Sequence, residues 1–194
     1  MFTKLIGRAI FALTGWTLNN NLPPEIKRCV MIAAPHTTNW DFLYTRVAFS
    51  LMDIPVRITT KKSYMCFPYG PIARSLGCIG IDRSPKKEGE ERPSMVQAMV
   101  DLFKEYDDLI MLVTPEGTRS FTTKWKTGFY HVAVLAKVPV ALGYLDYKKK
   151  EAGVGKVIYP GGDMKKDLQE IMAFYKTIAP LKPENFSIDL DYDS

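Results

Sequence analysis

The chain has 194 residues, 46% of them hydrophobic and 24% charged. That is enough apolar surface for one folded domain without disulfide or metal staples, and it excludes a disordered or collagen-like chain. The net charge of +5 points to an anionic partner, but the lysines are scattered and match no nucleic-acid reader motif, so no nucleic-acid partner is expected.

At the N-terminus, Phe2, Leu5, Ile6, Ala9, Ile10, Leu13 and Trp16 recur at helical spacing, with Lys4 and Arg8 off that face and no acid before Glu25. This predicts an amphipathic helix with a basic polar side. Two readings fit it: a helix lying in an anionic membrane interface, or one packing on its own domain. Arg8 interrupts the apolar stretch and no small-x-small cleavage site follows, which argues against a signal peptide. No run reaches the roughly 18 to 20 uncharged apolar residues of a spanning helix. The three cysteines, Cys29, Cys66 and Cys78, form no CxxC pair, so a reducing compartment is expected and a cysteine metal site is not.

Beyond Pro23 and Pro24, short apolar runs alternate with helical periods. Residues 29–34 predict a buried strand, 41–52 a helix through Phe42, Val47, Ala48 and Leu51, and 56–60 a β-branched strand. A short helix closes at 75–77, and 78–82 predicts a third strand. Residues 84–92 are charged and contain Pro85 and Gly89, the pattern of an exposed loop. Pro93 suits the first turn of a helix running to about Tyr106. Residues 109–113 form a wholly apolar strand, 128–137 a helix, and 140–147 and 154–159 two further strands. Asp163 is placed to cap a last helix to about Ala179. The tail, with Asp189, Asp191 and Asp193, predicts an exposed end. The alternation implies an α/β single domain with a largely parallel mixed sheet flanked by helices. In such sheets ligands bind beyond the carboxyl ends of the strands.

Three of those strand ends carry chemistry. The first run is Pro35, His36, Thr37, Thr38, Asn39, Trp40, Asp41. An imidazole accepts a proton near neutral pH, and a carboxylate can fix its tautomer and stabilise the cation. Five residues on an ideal helix is not one face. The two meet only if His36 lies in the loop and Asp41 in the helix's first turn, with Thr37, Thr38 or Asn39 as the cap. The bland alternative for His36 is a hydrogen-bonded loop residue. The second run, Gly77 to Arg83, ends in a guanidinium able to fork onto phosphate or carboxylate, or to pair with a surface acid. The third is Thr114, Pro115, Glu116, Gly117, Thr118, Arg119, Ser120. Here Gly117 frees backbone N–H groups for an anion, and Glu116 either holds an acceptor hydroxyl or orients Arg119; the alternative is a plain capped turn. Lys124, Trp125 and Lys126 read either as a solvated basic loop or as a phosphate contact at the mouth of the site. His131, in a helical stretch beside Tyr130, reads as structural. No GxSxG elbow supplies a serine nucleophile.

Taken in order, these runs resemble the 1-acyl-sn-glycerol-3-phosphate acyltransferase family, the lysophospholipid acyltransferases. The resemblance rests on His36, Thr38 and Asp41 (the HxxxxD motif), the Gly77-to-Arg83 strand end, the Glu116-Gly117-Thr118-Arg119 turn and Val138-Pro139-Val140, and it covers about residues 30 to 145. Many members carry Asn before the histidine, where this chain has Pro35. The resemblance implies a transferase of lipid metabolism and phospholipid biosynthesis; with the amphipathic N-terminus, residues 1–20 are expected as a membrane-interface helix and 21–194 as the acyltransferase domain. His36 and Asp41 are then catalytic, and Thr38, Arg83, Glu116, Gly117, Thr118, Arg119 and Lys126 bind substrate. It further implies an acyl-CoA or acyl carrier protein co-substrate, no bound cofactor or metal, and a lyso-lipid acceptor. The expected location is cytoplasmic, peripheral on the inner face of a membrane. Lysophosphatidate is the family's default acceptor, a lyso-amino-acid lipid the specialised one. A non-catalytic lipid-surface binder on the same scaffold is the other expectation.

Overall fold

The computed structural model describes residues 2–81 and 94–193. Among them, helix α1 (Phe2–Thr14) leads into strand β1 (Thr17–Asn20), then β2 (Arg28–Ala33), α2 (Asn39–Leu51) and β3 (Val56–Lys61). A single 3-10 turn (Lys62–Met65) and α3 (Gly70–Ser75) connect to β4 (Cys78–Ile81). The chain continues through α4 (Met95–Glu105), β5 (Leu109–Val113), α5 (Gly128–Ala136), β6 (Val140–Asp146), β7 (Glu151–Ile158) and α6 (Met164–Tyr175). The strands form one sheet in the order β1-β7-β6-β2-β5-β3-β4. The β6–β7 pair is antiparallel and every other pair is parallel. This is the α/β sheet that the alternation of runs predicts.

The central strands are buried on both sides, which is why they read as unbroken apolar runs rather than alternating ones. On one face Val30, Ile32, Met111 and Leu142 pack against Phe103 of α4, Phe129 and Val132 of α5 and Ile171 of α6. On the other, Cys29, Met31, Ile110 and Ala141 meet Phe49 of α2. Burial pushes the Cys29 thiol up to about 12, so it behaves as a core side chain. Arg28 reaches across the end of α4 and donates to the carbonyls of Phe103, Tyr106 and Asp107, closing carbonyls the helix leaves open.

The chain departs from the predicted elements at both ends. The N-terminal helix stops at Thr14, because Gly15 turns into the left-handed region at φ 73°. Trp16 then closes back on Phe11 with a backbone bond of 2.9 Å, and Thr17–Asn20 joins the sheet beside β7. Residues 2–20 are therefore a helix plus an edge strand, packed on and paired with the rest of the sheet. The C-terminal tail is also not a free end. Asp189 is buried and accepts from the Trp125 amide at 2.8 Å, while Trp125 Nε1 donates to the Ser187 carbonyl at 3.0 Å. Phe186 and Ile188 pack on the core beside it. Asp189, which looks solvated in the sequence, is held by a buried amide donor, while Asp191 and Asp193 are exposed as expected. The last helix does start at Asp163, whose carboxylate accepts from the Lys166 amide at 3.1 Å. The predicted loop at 84–92 and the Pro93 helix start lie outside the described residues.

The edge pairing of β1 makes one position intolerant. A Cβ added at Gly153 of β7 would collide with the Asn19 backbone carbonyl. We expect Gly153→Ala to cost about 1–3 kcal/mol in urea denaturation, the usual range for overpacking against backbone. An unchanged midpoint would show that β1 does not hold its place in the sheet.

Candidate functional site

The sheet order fixes where a site can form. From β2 the chain crosses by α2 to β3, on one side of β5; from β5 it crosses by α5 to β6, on the other side of β2. The two connections leave on opposite faces, so a crevice opens at the carboxyl ends of β2 and β5. The loop after β2 carries His36, and the loop after β5 carries Glu116. The two loops are joined directly: the His36 amide donates to the Glu116 carboxylate at 2.9 and 3.2 Å.

His36 lies in the loop and Asp41 in the first turn of α2, the arrangement the spacing requires. Thr38 is the N-cap and Asp41 the third helical residue, so the carboxylate folds back over the cap. Its Oδ2 accepts from the amides of Thr37 at 2.6 Å and Thr38 at 2.7 Å. Its Oδ1 accepts from Thr38 Oγ1 at 3.0 Å and the Tyr147 hydroxyl at 2.7 Å. Asp41 is buried, and these four bonds fill the acceptor sites a carboxylate has. The His36 Nδ1 therefore stands 3.7 Å from Oδ2, beyond a direct hydrogen bond but within ion-pair reach.

Burial pulls the His36 pKa below its ordinary value; the Asp41 charge opposes that shift and Arg119 adds to it. The imidazole is neutral and basic at neutral pH, with a carboxylate in place to stabilise the cation it would become.

Glu116 departs from both roles the sequence allows it. Its carboxyl is buried against the His36 loop, contacting neither Arg119 nor solvent. Burial, with the nearby Asp41 charge, raises its pKa to about 8 against the opposing pull of the His36 amide. Thr38, expected at the substrate, instead holds Asp41. The Gly117 amide is not free for an anion: it closes a turn onto the Thr114 carbonyl at 3.2 Å. Gly117 has φ 68°, and a Cβ there would run into the Lys126 side chain, so glycine is required for Lys126 to lie across the turn. Thr118 and Arg119 are exposed, with Thr118 Oγ1 accepting from the Ser120 amide. Lys126 reaches the site, whereas Lys124 pairs with Asp191 on the surface and Trp125 anchors the tail. His131 is exposed on α5 and away from the cavity. Arg83 lies outside the described residues.

Tyr147 is the residue the sequence could not reveal. It sits just past β6, 106 positions from Asp41, with no motif around it. Its ring meets Trp16 edge-on at 5.0 Å, and Trp16 stacks on Tyr44 of α2 at 4.7 Å. The N-terminal segment thereby supports the hydroxyl that holds Asp41.

His36 and Asp41 open onto a cavity of about 560 Å³, with Lys126 and Gly117 along its wall. Its deeper lining is hydrocarbon: Ile58 of β3, Leu112 of β5, Met95 and Met99 of α4 and Phe129 of α5. A base at the mouth and an apolar interior suit an amphiphilic substrate.

A family model described as Acyltransferase matches residues 17–141. The crystal structure of the 1-acyl-sn-glycerophosphate (LPA) acyltransferase PlsC from Thermotoga maritima shares the fold at a TM-score of 0.57. That match spans 90% of this chain and 75% of that one, at 15% sequence identity. No curated protein matches the sequence.

The raised Glu116 pKa has a consequence for stability. The folded protein keeps a proton there that the unfolded chain releases from about pH 4.5 upward, so stability falls as pH climbs from 4.5 to about 8. We expect Glu116→Gln to gain in Tm relative to the parent across that window, measured by thermal melts. Parallel melting curves would mean Glu116 is ionised throughout.

Proposed function

The chain belongs to the acyltransferase family, and from that membership we propose that it moves a fatty acyl group from acyl-CoA or acyl carrier protein to the hydroxyl of a lyso-lipid such as 1-acyl-glycerol-3-phosphate. The observation that carries this reading is the neutral His36 with buried Asp41 behind it, opening onto a hydrocarbon-lined cavity. His36 takes the proton of the acceptor hydroxyl. The oxygen attacks the thioester carbonyl, the C–S bond breaks, and the proton passes from His36 to the departing thiolate. A positioned base of this kind supplies about 10²–10⁴-fold in rate. Asp41 stabilises the imidazolium through space rather than by a direct bond. Arg119 and Lys126 are the described cations best placed for an anionic head, with Arg83 as a third from the motif. The apolar interior takes an acyl chain.

We place the protein at a membrane surface. No described helix is long and apolar enough to cross a membrane. Helix α1 leaves Leu5 66% and Leu13 88% exposed, and α2 leaves Trp40 60% exposed beside the catalytic loop. Such a strip favours an interface over water by roughly 25 cal/mol per Å² covered.

The test is acyl transfer to a panel of lyso-lipid acceptors, with product identified by mass. His36→Ala should abolish thiol release while the circular dichroism spectrum is kept; retained turnover would overturn the mechanism. The base must be unprotonated, so activity should rise with pH on a limb centred below 6.5, the ordinary histidine value from which His36 is shifted down.

Tyr147→Phe leaves the ring packing and removes one donor from Asp41. The carboxylate then presents more charge to His36, and the limb should move to higher pH, with kcat down about tenfold, the scale of one hydrogen bond to a charged group. An unshifted limb would make Tyr147 a packing residue only.

A further inference from the structure

A second pocket, of about 340 Å³, lies along the same groove between α2 and β3, away from His36. Phe42 and Thr45 of α2 and Ile58 and Thr59 of β3 line the catalytic cavity. The residues that follow on α2, and those at the start of β3, line the second pocket: Arg46 and Ser50, with Arg57. The end of α3 adds Arg74 and Ser75, and α1 adds Lys4. The acid in its lining, Asp53, is paired with Lys4, which leaves three arginines and no unpaired carboxylate among the described residues that line the pocket.

Two of them, Arg46 and Arg57, come together beside Gly77. A Cβ built on Gly77 would lie 3.9 Å from both Arg46 Nη1 and Arg57 Cδ. Arg46 is half-buried and makes no hydrogen bond or ion pair with any described residue; the Cys78 thiol lies near it, and burial raises that thiol's pKa, so it is uncharged at neutral pH. Arg74 donates one bond, at 3.2 Å to the Met65 carbonyl, which leaves donors over. Desolvating a guanidinium with nothing to receive its donors is costly, and a cluster of forks suits the several oxygens of a phosphate. The surroundings are apolar on two sides. Next to Lys4, α1 exposes Leu5 and Ile6, and next to Arg74, α3 exposes Ile72. A free phosphate has no use for exposed hydrocarbon around its site; a phosphate carrying acyl chains does.

We propose that this pocket binds the phosphate of an anionic phospholipid head, at a site separate from the catalytic cavity, with the lipid's chains lying along the exposed faces of α1 and α3. The lipid here is not the one that reacts: it fixes the protein on the surface from which the acceptor comes. The pocket's own chemistry carries this inference, and it does not rest on acyl transfer.

The test uses the full chain bearing His36→Ala, so that binding is read without turnover and its failure leaves the catalytic reading standing. Partitioning is measured by co-sedimentation with vesicles of phosphatidylglycerol in phosphatidylcholine and with phosphatidylcholine alone. Arg46→Ala with Arg57→Ala should weaken binding to the anionic vesicles by about tenfold or more and leave the neutral ones unaffected, given about 1 kcal/mol for each basic residue at an anionic surface and more for a forked contact. Arg46→Lys with Arg57→Lys keeps the charge and loses the fork. It should lose most of the same affinity. Lysine variants that partition like the parent would reduce the effect to net charge and overturn the site. Should a double variant fail to fold by circular dichroism, Arg74→Lys, on an exposed side chain, carries the same comparison. Inorganic phosphate, titrated while the arginine Nε resonances are followed, should saturate only in the millimolar range. Saturation well below that, with vesicles leaving those signals unmoved, would assign the pocket to a free phosphate and overturn the lipid.

Discussion

A buried carboxylate must have its acceptor sites filled, and at Asp41 that need shapes the site. Two amides, a threonine hydroxyl and a tyrosine hydroxyl supply the four bonds. Each donor comes with a structural commitment. The amides of Thr37 and Thr38 fix the backbone between His36 and α2, and so the imidazole's position. Thr38 starts the helix. Tyr147 ties the turn between β6 and β7 to the same atom and rests on Trp16 and Tyr44. The imidazole receives what is left, a charge at 3.7 Å. A carboxylate so held is fixed in place facing the imidazole, which is the arrangement the proposed mechanism uses.

Glu116 does the corresponding work from the other side of the crevice. A loop after β2 and a loop after β5 have no reason to stay aligned unless something bridges them, and the bond between the Glu116 carboxyl and the His36 amide is that bridge. Its neighbourhood already contains Asp41 and the buried Tyr175, whose own hydroxyl donates to the carbonyls of Ile32 and Gly143. Burial in this dry site, with the Asp41 charge adding to it, pushes the Glu116 carboxyl up. The motif's acid thus acts through the backbone of the histidine loop, and in the proposed mechanism Arg119 and Lys126 are the cations for the anionic head.

The sequence made the centre of this molecule legible and its periphery less so. Buried parallel strands appear as apolar runs, and residues 29–34 and 109–113 could be read within a residue or so of β2 and β5. His36 and Asp41 could be paired because a loop–helix junction is the one geometry that joins them. Tyr147 could not be read, since its bond to Asp41 depends on how β6 lies beside β2, a matter of tertiary register. Nor could the direction of Glu116, because a turn sequence does not say which neighbour a side chain meets. β1 escaped for a different reason. Thr17, Leu18, Asn19 and Asn20 have little strand character of their own, and they pair because Gly15 turns the chain toward the open edge of β7. Of the tail acids only Asp189 misled, because charge predicts exposure unless a buried donor waits for it, and Trp125 provides one.

The N-terminal helix shows how one sequence pattern serves two surfaces. Its apolar residues span an arc wider than any one neighbour covers. Gly7 and Phe11 turn inward: a Cβ at Gly7 would come within 3.1 Å of Val47, and Phe11 packs by Trp16 and Tyr44. Leu5, Ile6 and Leu13 turn outward. Packing on the domain therefore does not use up the helix's apolar residues, because different residues turn inward and outward. The inward half, through Trp16, reaches Tyr147 and so Asp41. The outward half lies beside Lys4 and the arginine pocket. Anything that seated the outer residues would press on the helix whose inner residues brace Asp41, so on the proposed reading attachment and activity share one physical route.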